Sequence, residues 1–287
     1  MTSIRTVSSS ISALISDVDG TLVTDEKDLT VRTKKAVQAV HAAGIAFTII
    51  SSRPPRGLRT LVDALAIATP IAGFNGGVLA TPNGSLIKQH LLAPSVARRA
   101  VEIINAAGAQ PWVFAEVDWL LLDPCRPYID FEEHTVRFPP TVVESFERGL
   151  DAAVKIVGVS QDFALLAELE GTARTSLAEN ATVARSQHYY LDITHPLANK
   201  GEALSELARL LAVPLPEIAV IGDGANDLAM FERSGLRIAM GNASPELQRS
   251  ADFTTDTNAD EGFANAVERF IVGHVERGNP PRAGGPA

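Results

Sequence analysis

At 287 residues the chain has room for one large domain or two of moderate size, and 46% hydrophobic with 21% charged residues describes an ordinary globular protein, not a disordered or fibrous one. A formal net charge of −9 sets an average field that repels nucleic acid and anionic lipid, which argues against polyanionic partners. The single cysteine, Cys125, excludes an internal disulfide and a cysteine metal cage.

Residues 1–10 are polar and serine-rich without an apolar stretch, and no later run approaches the roughly 20 apolar residues of a membrane span, so a cytoplasmic protein is expected. Residues 12–17 then form a short apolar run that predicts a buried strand, and residues 31–43 place apolar side chains at helical spacing up to a stop at Gly44. Residues 45–51 repeat the strand signal, Pro54 and Pro55 open a helix expected over 54–65, and residues 71–74 supply another strand. The same alternation returns near the C-terminus, with strands at 217–222 and 236–240 and helices at 225–234 and 260–272. Such alternation predicts a parallel sheet covered on both faces, because each right-handed crossover lays a helix on the sheet.

Between these halves the pattern changes to helices at 94–107 and 161–179 with extended segments at 112–122 and 153–159. The expectation is therefore an α/β protein. A Rossmann-like parallel-sheet core with helices on both faces is built from residues 1–80 and 189–277, an α+β domain is inserted at 81–188, and a Pro- and Gly-rich tail at 278–287 stays loose.

Asp17-Val18-Asp19-Gly20-Thr21-Leu22 lies at the carboxyl end of the first strand, where open α/β sheets bind ligands. Strand geometry sends Asp17 and Asp19 to the same side, and Gly20 lets the chain turn sharply away. A turn capped by Asp and Gly gives the same short pattern. Gly222-Asp223-Gly224-Ala225-Asn226-Asp227 repeats the layout after the strand at 217–222; an Asx-turn accounts for one of its acidic residues, less readily for the whole run. Taken singly, Ser51 reads as a turn cap, Arg53 and Arg56 as a solvated helix start, Asn75-Gly76 as a tight turn, and Lys200 as a solvated lysine opening a helix.

In this order the segments resemble the motifs of the haloacid-dehalogenase-like hydrolases over essentially the whole chain. The insertion between Ser51 and Lys200 resembles a type-two cap, and its length the Cof-type branch; sucrose-phosphatase-like, trehalose-phosphatase-like and phosphomannomutase-like relatives share that layout. Cof-type relatives often carry Thr-Gly-Arg-Pro where this chain has Ser51-Ser52-Arg53-Pro54, a departure at the first two positions.

The resemblance implies a Mg2+-dependent phosphatase of small phosphorylated metabolites, sugar phosphates first. Asp17 is the implied nucleophile, forming an aspartyl-phosphate, and Asp19 the implied acid and then base. Asp17, Asp223 and the backbone carbonyl of Asp19 are the implied metal ligands. Lys200 offsets the charge of Asp17 and the phosphoryl group, Asp227 orients Lys200 or the metal shell, and Ser51, Arg53, Asn75 and Asn226 contact the substrate phosphate. The cap is implied to close over the substrate and choose the leaving group; Trp112, Trp119, Tyr128, His134 and Arg137 are candidates there that read more simply as core or solvated residues. A phosphotransferase or mutase on the same fold and a binding protein without turnover are the alternatives. Oligomeric state and the individual substrate are not legible.

Overall fold

The structure, a computed structural model, describes residues 10–115 and 118–272; the polar start at 1–9 and the expected tail at 278–287 lie outside the described residues. By internal contacts the chain divides into two units. The first comprises residues 1–50, 61–70 and 200–287, the second residues 51–60 and 71–199.

An apolar run without internal charge suits a strand covered on both faces. In the first unit Ala13–Ser16 and Ile218–Gly222 are such strands, with every residue buried. They pair in parallel. Ala46–Ile49 flanks them on one side, and Leu236–Ala239 followed by Phe253–Thr254 on the other, giving a five-stranded parallel sheet. The helix Val31–Ala42 links the first two strands and starts at Thr30, whose hydroxyl accepts a hydrogen bond from the Thr33 N–H. It packs against Gly262–Ala266 and the π-helical Val267–Val272, while Lys200–Leu211 packs against Leu228–Phe231. The α/β expectation therefore holds for this unit.

Three expected helices are divided, the first of them at 54–65 into a 3-10 turn, Pro55–Leu58, and a short helix, Arg59–Ala64. Residues 225–234 form a 3-10 turn, Ala225–Asp227, and a short helix, Leu228–Phe231. Residues 260–272 are interrupted at Glu261, whose left-handed backbone (φ 62°) separates the 3-10 turn Asn258–Asp260 from Gly262–Ala266.

Residues 71–74, expected as a strand of the parallel sheet, and residues 190–194, inside the expected core half 189–277, join other sheets in the second unit. Ile71–Gly73 pairs antiparallel with Val78–Ala80, which pairs in turn with Leu86–Gln89. The intervening Phe74-Asn75-Gly76 turn has φ values of 51°, 56° and 102°, a left-handed path that an Asn-Gly step tolerates. Tyr190–Thr194 is antiparallel to both neighbours, Thr182–Gln187 and Ala153–Val159, in a six-stranded sheet completed by Gln110–Ala115, Asp118–Leu121 and Thr141–Val142. The expected boundaries at 80/81 and 188/189 thus fall in hairpin connections, with hydrogen-bonded partners on either side of each cut.

Helices Pro94–Ala106 and Phe163–Leu177 pack on each other and share an aliphatic core with that sheet. A separate cluster in this unit is aromatic. Trp112 and Trp119 are fully buried in it, their rings edge-on at 4.9 Å, with Phe114 and Tyr190 against them, so both tryptophans are core residues. No helix among the described residues is long and apolar enough to cross a membrane.

The first unit's core gives a stability test. Phe47 is fully buried between His41 and Phe263, with ring centroids at 6.2 and 6.1 Å, whereas Phe131 is 49% exposed. Phe47→Ala is expected to cost about 3–5 kcal/mol in urea unfolding followed by circular dichroism, and Phe131→Ala about 0.5 kcal/mol. Equal losses would contradict the packing.

Candidate active site

Parallel pairing of Ala13–Ser16 with Ile218–Gly222 brings two chain reversals side by side at the carboxyl ends of the strands. Asp17 extends the first ladder, its N–H donating to the Ile221 carbonyl at 2.9 Å. The chain then turns tightly: the N–H groups of Thr21, Leu22 and Val23 all donate to the Val18 carbonyl. Gly20 sits at φ 79°, and a Cβ there would collide with the Asp223 carboxylate, so this turn and this carboxylate require glycine between them.

Lys200 opens the helix Lys200–Leu211 and is only 1% exposed. Its Nζ donates to Asp17 Oδ1 and to Asp227 Oδ1, both at 2.5 Å. Asp227 is fully buried, and its Oδ2 accepts from the N–H groups of Asp223 and Gly224 at 2.9 and 2.8 Å, which fixes the second turn. Asp223 Oδ1 accepts from the Thr21 hydroxyl at 2.8 Å. The Asp19 carboxylate takes a separate partner, Lys27, with Nζ 2.9 Å from Oδ1. Asn226 is exposed on the second turn, beside Gly224.

Charge is unbalanced here. Asp17, Asp223 and Asp227 each offer a carboxylate oxygen within 4.8 Å of the others, against the one Lys200 ammonium among them. Burial pushes the Asp17 carboxyl well above the usual range and, despite Lys200, the neighbouring Asp227 and Asp223 add to the rise. Burial likewise raises Asp223, opposed by the Thr21 hydrogen bond. Burial works against the Lys200 ammonium, but the attraction of Asp17 and then Asp227 outweighs it, and its proton is held more tightly than in a free lysine. Hard oxygen donors with buried excess negative charge fit a divalent cation, which would offset both causes of the Asp17 shift. Asp227 is fully buried and already takes three hydrogen bonds, from Lys200 and two backbone N–H groups, whereas Asp223 is partly exposed, which makes Asp17 and Asp223 the better placed ligands.

Ser51, Arg53 and Asn75 lie in the second unit, where they form a laced pair of loops. The Ser51 N–H donates to the Ala72 carbonyl, the Asn75 N–H to the Ser51 carbonyl, and the Phe74 N–H to the Arg53 carbonyl, all at 2.8–2.9 Å. Ser51 Oγ accepts from the Arg53 N–H at 3.1 Å, and both residues are buried. Arg56, by contrast, is half exposed, stacks over the Phe138 ring at 4.4 Å and lies 3.6 Å from Asp118.

Sequence reasoning assigned no role to Thr21 or Lys27. Thr21 stood inside the quoted motif, while Lys27 lies in a polar run, residues 24–28, that looks like any solvated turn.

The upward shift of Asp17 fixes a pH dependence. The fold favours its protonated form, so this group contributes stability below about pH 4 that is lost as pH rises through the elevated folded value. In EDTA, Asp17→Asn is expected to raise Tm at neutral pH, the gain fading in acid below the ordinary carboxylate range. A lower Tm at neutral pH, read in thermal scans, would contradict this.

Comparison with known proteins identifies the family of the chain. The family described as haloacid dehalogenase-like hydrolase matches residues 14–267. The Bacillus subtilis (strain 168) protein named Phosphatase YwpJ is 25% identical, over 89% of this chain and 98% of its own length. The 5-amino-6-(5-phospho-D-ribitylamino)uracil phosphatase YwtE of the same strain is 26% identical, over 90% and 97%. The crystal structure of a haloacid dehalogenase-like hydrolase from Bacteroides thetaiotaomicron superposes with a TM-score of 0.84 at 25% identity, over 90% of this chain and 99% of that one. The chain belongs to the haloacid dehalogenase-like hydrolase family, as an enzyme that acts on phosphate esters.

Proposed function

We propose that this enzyme is a Mg2+-dependent phosphatase of small phosphorylated metabolites, sugar phosphates first, working through an aspartyl-phosphate on Asp17. The observation that carries the reading is the buried Asp17 carboxylate held by the Lys200 ammonium at 2.5 Å beside two further carboxylates. Phosphate monoesters resist attack because the nucleophile meets negative charge, so a site for them concentrates positive charge around a carboxylate.

Asp17, Asp223 and the backbone carbonyl of Asp19 would hold the cation, which when bound supplies a Lewis-acidic charge on the phosphoryl oxygens. Asp17 attacks phosphorus, the P–O bond of the ester breaks, and Asp19 gives its proton to the departing alkoxide. Asp19, now a carboxylate, takes a proton from the water that attacks the aspartyl-phosphate; phosphate leaves and Asp17 is free again. Throughout, Lys200 offsets charge, and Asp227 keeps it aimed. Ser51, Arg53, Asn75 and Asn226 are assigned phosphate contacts by the family resemblance, and the inserted segment the choice of leaving group. The relative YwtE is named for a ribitylaminouracil phosphate, which favours small phosphorylated metabolites as a class.

The test is phosphate release from a panel of phosphorylated metabolites with and without Mg2+. Release is expected to need Mg2+, to fall about 10³-fold or more in Asp17→Asn, and to fall about 10²–10⁴-fold in Asp19→Ala. An isomeric sugar phosphate without free phosphate would make the protein a mutase. No release above the Asp17→Asn background would make it a binding protein.

A further inference from the structure

Resting on that reading, we infer that Asn242 is a positioning residue that ties the metal-binding carboxylate Asp223 to the turn carrying Asp19, with Asn258 as the second half of the same clamp. Asn242 follows the strand Leu236–Ala239, next to the one that delivers Asp223. Its Nδ2 donates to the Gly20 carbonyl at 2.9 Å and reaches Asp223 Oδ2 at 3.4 Å. Together with Thr21 on Oδ1, this gives each oxygen of Asp223 a donor; Thr21 belongs to the Asp19 turn itself, and Asn242 grips that turn from the neighbouring strand's end.

The amide's other end is also used. Asn242 Oδ1 accepts from the Asn258 N–H at 3.0 Å, and the buried Asn258 side chain donates to the Val23 carbonyl at 3.2 Å and to Asp25 Oδ1 at 3.0 Å. Two amides thus hold the turn at both ends, Gly20 and Val23 to Asp25, from the C-terminal part of the unit. The turn is also held by its own bonds to the Val18 carbonyl, by the bridge between Asp19 and Val23, by the Thr21 hydroxyl on Asp223 and by the Lys27–Asp19 ion pair; the two amides add ties from the C-terminal part of the unit. A carboxylate amide pair of this kind sets ligand orientation before a cation arrives, and loss of such a partner typically costs metal affinity.

The experiment uses the full chain and Mg2+ alone, followed by calorimetry, with amide hydrogen exchange of residues 20–25 as a second readout. Asn242 is exposed, so Asn242→Ala is expected to keep its Tm within a few degrees. It should weaken Mg2+ binding about tenfold and speed exchange across the turn. Asn258→Ala should speed that exchange with a smaller effect on Mg2+. Asn265→Ala, which removes a hydrogen bond to Asp256 at 2.7 Å elsewhere on the same C-terminal stretch, should change neither. Wild-type Mg2+ affinity and turn exchange in Asn242→Ala would overturn the inference. If the wild type binds no Mg2+, the metal reading fails instead, and the exchange of the turn still decides the clamp.

Discussion

One ammonium group between two buried carboxylates holds this site together. Lys200 Nζ lies 2.5 Å from both Asp17 and Asp227, and the three residues come from chain segments separated by 183 and 27 positions. An unpaired ion at that depth would be strongly destabilising; the two carboxylates hold the Lys200 proton against burial, while burial and the neighbouring carboxylates still push Asp17 up. The balance is incomplete, however, because Asp223 adds a third carboxylate at the same place. Surplus negative charge buried beside a hard-oxygen cluster fits a cation better than it serves the fold's own stability.

The parallel sheet creates this arrangement at small structural expense. Ser16 stands opposite Ile221 in the ladder, so Asp17 and Asp223 leave adjacent strands within a residue or two of one another. Glycine then does the local work: Gly20 lets the first turn pass against Asp223, and Gly222 lets Asp227 fold back beneath its own turn to accept two N–H groups. Rigid strands set the distance, and the turns set the direction of each carboxylate.

Much of this was legible in the sequence, because strand-then-carboxylate is a local signal. Asp17 and Asp223 each follow an apolar run that can only be buried, and the βα alternation around them fixed a parallel sheet. Pairing partners were less legible. Residues 71–73 and 190–194 are apolar enough for a parallel strand, yet both are antiparallel, since a short apolar run reads the same in either kind of sheet. The Asn75-Gly76 step was the cue for a hairpin at the first of these. Side-chain partnerships outside the motifs left no pattern: Lys155 and Asp192 meet at 3.0 Å inside the antiparallel sheet, and Lys27 reaches Asp19 from a run that looks merely solvated.

The central claim is that the Asp17 and Asp223 carboxylates share one divalent ion. Its most direct test is a crystal grown or soaked with Mn2+, which takes oxygen ligands as Mg2+ does and scatters anomalously. The account predicts one strong anomalous peak within coordination distance of both carboxylates, with Lys200 still bonded to Asp17. A peak elsewhere, or an ordered site holding only water at saturating Mn2+, would contradict it.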